Sequence, residues 1–342
     1  MQPRELEPRY LRALLGEIRA HSWEWQPETV YLGGGTPGSL DGAALREMLD
    51  SLPGRPWREA TMEAAPGLFD GERIAGWLAA GINRVSLGVQ SFDPRELART
   101  GRKHTAEIVE RDIGALRRAG ISNINVDLIA GLPGQNAASW RHSLEAVAAL
   151  GVPHVSVYML EVDEDSRLGS EILLGGKRYG ATDVPDDAET AAFYEEAVDF
   201  FAARGIARYE ISNFAAPGFA SLHNLKYWHR EPYIGFGSDA HSFDGTVRWQ
   251  NVEAAVDYAA RWERGEVVRE ETTPADPAEE KFFVGLRLTE GILPDADDWR
   301  RHGAAIERFL STGLLERTGE RLRLTRRGIM VSNDVFQEFL TA

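Results

Sequence analysis

The chain has 342 residues, 43% of them hydrophobic and 27% charged, and a formal net charge of −15. This is long enough for one large domain plus a smaller one, and too acidic for a non-specific grip on nucleic acid. It contains no cysteine, which excludes a disulfide, a zinc–thiolate site or a cysteine-ligated iron–sulfur cluster made from these residues. No run approaches the roughly 18 apolar residues of a membrane span, and Met1 to Arg9 is polar, so a cytoplasmic protein without membrane insertion is expected.

Leu6, Tyr10, Leu11, Leu14, Leu15 and Ile18 recur at helical spacing and predict an amphipathic helix over Leu6–His21. Val30–Leu32 reads as a strand that runs into Gly33-Gly34-Gly35-Thr36-Pro37. A strand ending in glycine lets backbone N–H groups come close to a ligand, because no Cβ intervenes. A helix over Ala43–Leu52 follows, then a strand Ala60–Glu63 and a helix Gly71–Ala80 closed by Gly81. Arg84–Ser91 is a strand with Gln90 at its end, Thr105–Ala119 a helix capped by Gly120, and Asn123–Ile129 a strand. Ala138–Leu150 (helix) and His154–Leu160 (strand) complete the series. Strands and helices alternating at about 30-residue spacing predict βαβ units and a parallel sheet. A closed eight-fold barrel needs about 250 residues, so five strands preceded by a helix fit an open or partial barrel.

Beyond Val162 the composition changes. Glu164–Pro185 reads as a surface loop, Asp187–Arg204 as a helix with Phe193, Ala197, Phe200 and Phe201 inward, and Tyr209–Phe214 as a strand. Ser221–Ser242 is dense in aromatic and histidine residues. From about Ala275 two helices (Glu279–Arg287 and Ala304–Thr312), a hairpin at Thr318-Gly319-Glu320 and a last helix from about Ser332 form a winged-helix-like unit. DNA binding does not follow from that order in so acidic a chain. The domain reading is 1–165, 166–274 and 275–342.

Gly33 to Gly38 satisfies G-x-G-x-x-G after a strand, yet Glu63 lies 28 residues past Gly35, where a dinucleotide site expects an acid about 20 away. The stronger pattern is Glu63, Gln90 and Asp127, each at or near the carboxyl end of a predicted strand, where parallel α/β folds bind ligands. Polar groups there are costly unless paired. One could be anchoring loop backbone; three in register with a triglycine strand end point to a ligand.

GGGTP, GINRVSLGVQSF, GRKH, NINVDLIAGLPGQ, HVSVYML, ISNFA, HNLKYW and LTRRGIMVSNDVF, in this order, resemble the HemW family. These are haem chaperones and radical-SAM relatives of oxygen-independent coproporphyrinogen III oxidase. The resemblance runs from about residue 10 to the C-terminus. It implies a partial (βα)6-type radical-SAM barrel with a C-terminal α+β winged-helix-like domain of the HemN-C type. It also implies an S-adenosylmethionine site at Gly33, Gly34, Gly35, Thr36, Glu63, Gln90, Arg102, Asp127 and Glu161. A carboxylate at a strand end accepts from ribose hydroxyls, and Arg102 pairs with the methionyl carboxylate as a fork. His223, Asn224, Tyr227 and Trp228 match the family's HNxxYW haem-binding signature, with His223 the candidate iron ligand and His241 a second. Read without the family, Tyr227 and Trp228 are core packing and His223 a hydrogen-bond anchor.

The chain has Ala65, Gly38 and Asp239 where the family has Asn, Ser and usually Gly. The family's first strand and its Cys-x3-Cys-x2-Cys loop, which ligates a 4Fe–4S cluster, are absent from these residues. Two explanations cover the gap, a coding start further upstream, which is the expectation here, or a protein that lost its cluster and kept the binding scaffold; the Val30–Leu32 strand is expected at a sheet edge. The chain as given is expected to be catalytically silent. The implied function is haem binding and delivery to haem-accepting proteins such as respiratory enzymes, with homodimerisation left open. The alternative is an oxidoreductase of the coproporphyrinogen III oxidase type in porphyrin biosynthesis.

Overall fold

The computed structural model describes residues 6–35, 37–161, 167–174, 176 and 178–340. It resolves into two compact units, one of residues 30–42 and 58–220, the other of residues 1–29, 43–57 and 221–342.

The first unit is built on a seven-stranded sheet. Its strands are β1 (Thr29–Leu32), β2 (Glu59–Ala64), β3 (Arg84–Gln90), β4 (Asn123–Ala130), β5 (His154–Met159), β6 (Ala207–Arg208) and β7 (Asn213–Ala215), in the order β1-β2-β3-β4-β5-β7-β6. β2 to β5 run parallel, and β7 pairs antiparallel with β5 and with β6. β1 therefore takes one edge, as the sequence suggests. Side chains alternate across the strands. Val85, Leu87 and Val89 of β3, Val126 and Leu128 of β4, and Val155 and Val157 of β5 are buried. The alternate positions Ser86, Gln90, Asn125, Asp127, His154 and Ser156 carry polar groups.

Short helices connect the strands: α3 (Gly71–Ala79), α4 (Pro94–Arg99), α5 (Ala106–Arg118), α6 (Ala137–Leu150) and α8 (Asp187–Ala202). α6 opens on a capping box at Asn136 and closes on Gly151 in the left-handed region, as helix-end chemistry favours. Phe193, Ala197, Phe200 and Phe201 of α8 are buried as expected. Trp140 of α6 donates to the Phe193 carbonyl at 2.7 Å.

Two expectations change here. Residues Glu164–Pro185 are not only loop, because a helix α7 (Arg167–Leu173) and a 3-10 turn (Arg178–Gly180) form within them, although residues 162–166, 175 and 177 lie outside the described part. Tyr209–Phe214 is not one strand. Its first residues turn between β6 and β7, with the Tyr209 N–H bonded to the Asn213 carbonyl and the Glu210 carboxylate accepting from Ser212 N–H and Asn213 Nδ2. A buried carboxylate closing its own turn looks, in sequence, like a strand residue.

The second unit contains α1 (Leu6–Ala20), α2 (Gly42–Asp50, of which Gly42 groups with the first unit) and α9 (Leu222–Trp228). A three-stranded antiparallel sheet follows, of β8 (His241–Phe243), β9 (Val247–Asn251) and β10 (Arg269–Pro274), with α10 (Ala255–Glu263) between β9 and β10. Its core is Ala13, Val252, Tyr258 and Val268, with Tyr10 and Trp262 packed on it. α1 and α10 meet so closely at Gly16 that a Cβ there would lie 2.2 Å from the Trp262 ring.

The carboxy-terminal part has α11 (Pro277–Phe283), α12 (Ala296–Ser311), a hairpin of β11 (Leu315–Thr318) and β12 (Arg321–Leu324), α13 (Arg326–Met330) and α14 (Ser332–Gln337). α12 starts eight residues before its expected position, at Ala296 rather than Ala304. A capping box at Asp295 starts it, in a segment (Asp297, Asp298, Arg300, Arg301) whose charges mask the apolar periodicity.

Glu17 of α1 ties this unit together. Its carboxylate accepts from Gly237 N–H at 2.8 Å, Asn251 Nδ2 at 2.7 Å and the Tyr258 hydroxyl at 2.5 Å. Glu17→Ala leaves three donors without their acceptor. It is expected to lower the unfolding free energy by roughly 2–4 kcal/mol, read by denaturant titration, with Glu17→Gln recovering part of the loss.

Candidate functional site

Past Leu32 the chain turns through Gly33, Gly34 and Gly35. Gly34 and Gly35 have φ of +76° and +62°, and a Cβ on either would meet nothing within 4 Å. The backbone there is accessible. Gly33 faces inward, where a Cβ would lie 2.9 Å from the Tyr31 ring and 3.3 Å from the Glu63 carboxylate. Glu63, on β2, accepts from the Tyr31 hydroxyl at 2.6 Å and from Gly34 N–H at 3.3 Å. Burial first, then the Glu63 charge, push the Tyr31 phenol well above its usual range, so it remains a donor. Thr36 lies outside the described residues.

Asp127, on β4, accepts from Ser86 Oγ at 3.1 Å and from Asn125 Nδ2 at 2.6 Å. The strand register sets Glu63 opposite Ser86, so the two carboxylates flank one serine. Burial raises the Asp127 carboxyl above the ordinary carboxylate range; hydrogen bonds from Ser156, Asn125 and Ser86 pull it down, and Glu63 adds to the rise. Burial likewise raises Tyr158, reinforced by Asp127. Glu63 and Asp127 thus form one acidic cluster, with the Tyr31 hydroxyl donating to Glu63 and Tyr158 within reach of the same charges.

Gln90 ends β3 at φ +72°, a backbone that a non-glycine residue rarely adopts. Its Oε1 is buried and accepts no hydrogen bond among the described residues. A Cβ at Gly88 would lie 3.2 Å from Gln90 Nε2 and 3.9 Å from an Arg102 guanidinium nitrogen. Gln90 and Arg102 thus converge over bare backbone, and the strained strand end keeps a buried acceptor without a partner among the described residues. Glu161, two residues past β5, has an exposed side chain; its neighbour Leu160 donates its N–H to the Ala130 carbonyl at 2.8 Å.

In the second unit α9 carries His223, Asn224, Tyr227 and Trp228, with the Ser221 side chain capping Asn224 N–H. None of its residues is fully buried. His223 and Tyr227 are one helical turn apart, and the Tyr227 hydroxyl lies 2.8 Å from His223 Nε2. Thr29 Oγ1 lies 2.9 Å from Nδ1 of the same ring. Burial raises the Tyr227 phenol, which stays protonated. The Arg287 guanidinium stacks 4.7 Å from the Trp228 ring centroid, and Trp228 Nε1 is buried without a partner among the described residues. His241 is exposed on the edge strand β8. Asp239 has φ +60°, the conformation that makes glycine the usual residue there, and accepts from Gln250 Nε2 at 2.7 Å.

Sequence reading missed Tyr31, Ser86, Asn125, Ser156 and Tyr158. A signal was present in the period-two stripes of SLGVQ, NVD and SVY, which place a polar residue on the same face at every second position.

The fold and these strand ends define a radical-SAM scaffold. Residues 2–147 match the radical SAM superfamily, and residues 272–331 the HemN C-terminal domain. The solved structure of coproporphyrinogen III oxidase (HemN) from Escherichia coli, a radical SAM enzyme, aligns with TM-score 0.84 at 19% identity, covering 99% of this chain and 85% of that one. At that identity the likeness is one of fold. The heme chaperone HemW of Lactococcus lactis (strain IL1403) is 32% identical, over 97% of this chain and 89% of its own. That of Bacillus subtilis (strain 168) is 34% identical, over 97% and 91%. The chain belongs to the HemW family.

The iron–sulfur cluster associated with the radical SAM class does not fit these residues. There is no thiolate in the sequence, and no group of three or more acidic or histidine side chains among the described residues could replace one.

His154 sits fully buried in the network, with Nδ1 2.6 Å from Asn125 Oδ1 and Nε2 3.0 Å from the Tyr209 hydroxyl. Burial first, then Arg84, hold its pKa well below the usual 6.5. Folded His154 stays neutral while the unfolded chain takes up a proton below about pH 6.5. Stability from this group is thus full above that pH and falls below it, by up to about 1.4 kcal/mol per unit. Chemical denaturation between pH 7 and 5 checks the slope, and His154→Gln is expected to flatten it.

Proposed function

We propose that this chain is a haem-binding protein of the chaperone type, with an S-adenosylmethionine site at the carboxyl ends of β1 to β5. The observation that carries the haem reading is the pairing of His223 with Tyr227 on the same helix α9 and with Thr29 at the start of β1. With Nδ1–H donating to Thr29 Oγ1, the ring is fixed in the tautomer whose Nε2 lone pair faces outward, as metal-ligating histidines require of their second nitrogen. The Tyr227 hydroxyl occupies that lone pair in the haem-free chain and must turn away for iron to bind. Trp228, backed by Arg287, supplies a flat ring for the macrocycle and a cation for a propionate.

The S-adenosylmethionine reading is supported by the open backbone at Gly34 and Gly35, the orphan acceptor of Gln90 and the adjacent Arg102. Glu63 and Asp127 would take ribose hydroxyls, Arg102 the methionyl carboxylate, and Glu161 the adenine edge through its backbone. In this division residues 1–165 hold the nucleoside, 166–274 the haem and 275–342 the HemN-C-type domain. Haem-accepting proteins such as respiratory enzymes are the partners of this reading.

Haemin titration of the whole chain tests it. A Soret shift is expected, lost in His223→Ala and strengthened about tenfold in Tyr227→Phe, where the internal competitor is gone. A shift indifferent to both variants would refute ligation by His223. For the second ligand, calorimetry with S-adenosylmethionine should show binding weakened at least tenfold in Asp127→Ala and Arg102→Ala; equal affinity in all three chains would count against the site.

A further inference from the structure

Gln90 ends β3 in a strained turn. Its φ is +72°, and the Ser91 N–H donates to the Val89 carbonyl at 2.9 Å. Closure from one residue to the next but one, around a positive φ, is the rare and strained form of the γ-turn. The pairing of β3 with β4 shifts register between Leu87 and Gln90, so the strand leaves its ladder as it enters the turn. Such a conformation persists only where its surroundings over-determine it. The residues on both sides of Gln90 are in fact held by buried side chains that have no place in the ligand chemistry above.

Before the turn, His104 Nε2 lies 3.0 Å from the Val89 carbonyl, which can only accept, so that nitrogen carries a hydrogen. After it, the Ser91 hydroxyl donates to Glu96 Oε2 at 2.5 Å and accepts the Asp93 N–H at 2.9 Å. Gln135 Nε2 donates to the same Glu96 oxygen at 3.2 Å, and Gln135 Oε1 accepts the Gly131 N–H at 2.6 Å. One carboxylate thus ties the end of β3 to the loop that follows β4. The helix that carries it, α4, also reaches Arg102: the Leu97 carbonyl accepts the Arg102 N–H at 2.8 Å. Ser91, Glu96, His104 and Gln135 are all buried. Glu96 Oε1 accepts nothing among the described residues. A carboxylate out of water with both side-chain donors on one oxygen is costly as mere packing. What it does is fix the residue after Gln90.

We infer that Glu96 and His104 are positioning residues of the strand-end site: they brace Gln90 in its γ-turn, which keeps the Gln90 carboxamide over Gly88 and beside Arg102 for S-adenosylmethionine. The inference rests on the S-adenosylmethionine reading above and adds to it two residues that touch no ligand. The brace matters because the approach is close, a Cβ at Gly88 lying 3.2 Å from Gln90 Nε2 and 3.9 Å from an Arg102 nitrogen. Released from it, Gln90 relaxes toward a negative φ, and its carboxamide leaves that position. The ligand then binds only the fraction of chains in which the turn has re-formed, and its apparent affinity falls by that fraction.

Two measurements on the whole chain test this. Without ligand, hydrogen exchange at the Ser91 N–H reports the turn, and Glu96→Ala should speed it about tenfold or more relative to amides of β2 and β5. Calorimetry with S-adenosylmethionine reports the consequence. Glu96→Ala and His104→Ala should each weaken binding about tenfold, as when roughly a tenth of the chains keep the turn. Glu96→Gln retains an acceptor for Ser91 and Gln135 and should stay within about threefold of the wild type. Gln90→Gly adopts a positive φ freely but lacks the carboxamide that the brace positions. In that background Glu96→Ala should weaken binding by less than about a further twofold, because residues that act through one another are not additive. The same cycle with His104→Ala reads the other side of the turn, so a variant that fails to fold leaves the test intact. Equal affinity in the wild type and both alanine variants, or losses that add fully to that of Gln90→Gly, would overturn the brace and leave the S-adenosylmethionine site standing. No binding by the wild type would overturn the site itself, and this inference with it.

Discussion

The buried amide of Asn125 is the interaction on which the inner face of the sheet depends. It sits on the central strand β4, with Ser86 Oγ of β3 at 2.8 Å, Ser156 Oγ of β5 at 2.9 Å, Asp127 Oδ1 at 2.6 Å and His154 Nδ1 at 2.6 Å. The outer face of the same strands is held by ordinary apolar burial, as Val85, Val126 and Val155 show. The inner face has no such recourse. Its carboxylate and hydroxyls are out of water, and each unmet one would cost about 1–3 kcal/mol. A side chain with two donors and one acceptor, at the middle of three strands, is what lets a polar face exist inside a packed fold. Because the network is nearly closed, the few groups left open stand out: the buried acceptor of Gln90 and the bare backbone of Gly34 and Gly35.

The second unit solves a similar problem with one carboxylate. Gly237 at φ +100° and Asp239 at φ +60° both lie in the left-handed region. Side chains from several elements hold the segment between β-bridge residue Tyr233 and β8: Ser242 Oγ accepts from Gly235 N–H, the Tyr10 hydroxyl from Ser238 N–H, and Asn251 Nδ2 donates to the Gly237 carbonyl. Glu17 fixes it from the helix side by taking the Gly237 N–H, while Tyr258 and Asn251 hold Glu17.

How much of this was legible in the sequence depended on which force was acting. The five strands β1 to β5 were legible to within one or two residues, because apolar alternation and glycine caps at Gly81 and Gly120 are local signals. Glu63, Gln90 and Asp127 were legible as a set, because strand ends are where such folds bind. Tyr31 was not: its role needs the neighbouring strand to place Glu63 2.6 Å away. The β6–β7 turn and the start of α12 were misread for one reason. In both, polar side chains satisfy backbone or neighbouring donors (Glu210 at the turn, Asp295 and Asp298 at the cap), and such pairing is invisible until the chain has folded.

The state of His223 bears on what a carrier of haem must do, which is to let go. A free imidazole binds with its full intrinsic affinity. In the tautomer proposed for ligation, His223 gives up its Nε2 hydrogen bond with Tyr227 when iron binds, and a neutral hydrogen bond is worth about 1 kcal/mol net, or roughly a factor of five to ten in affinity. The Tyr227 hydroxyl is kept protonated by burial and stays close at hand on the same helical turn, so it also stands ready to retake the nitrogen as iron leaves. In the proposed complex His223 is therefore a weaker and more readily exchanged ligand than an imidazole without such a partner would be, and transfer to an acceptor would proceed from α9.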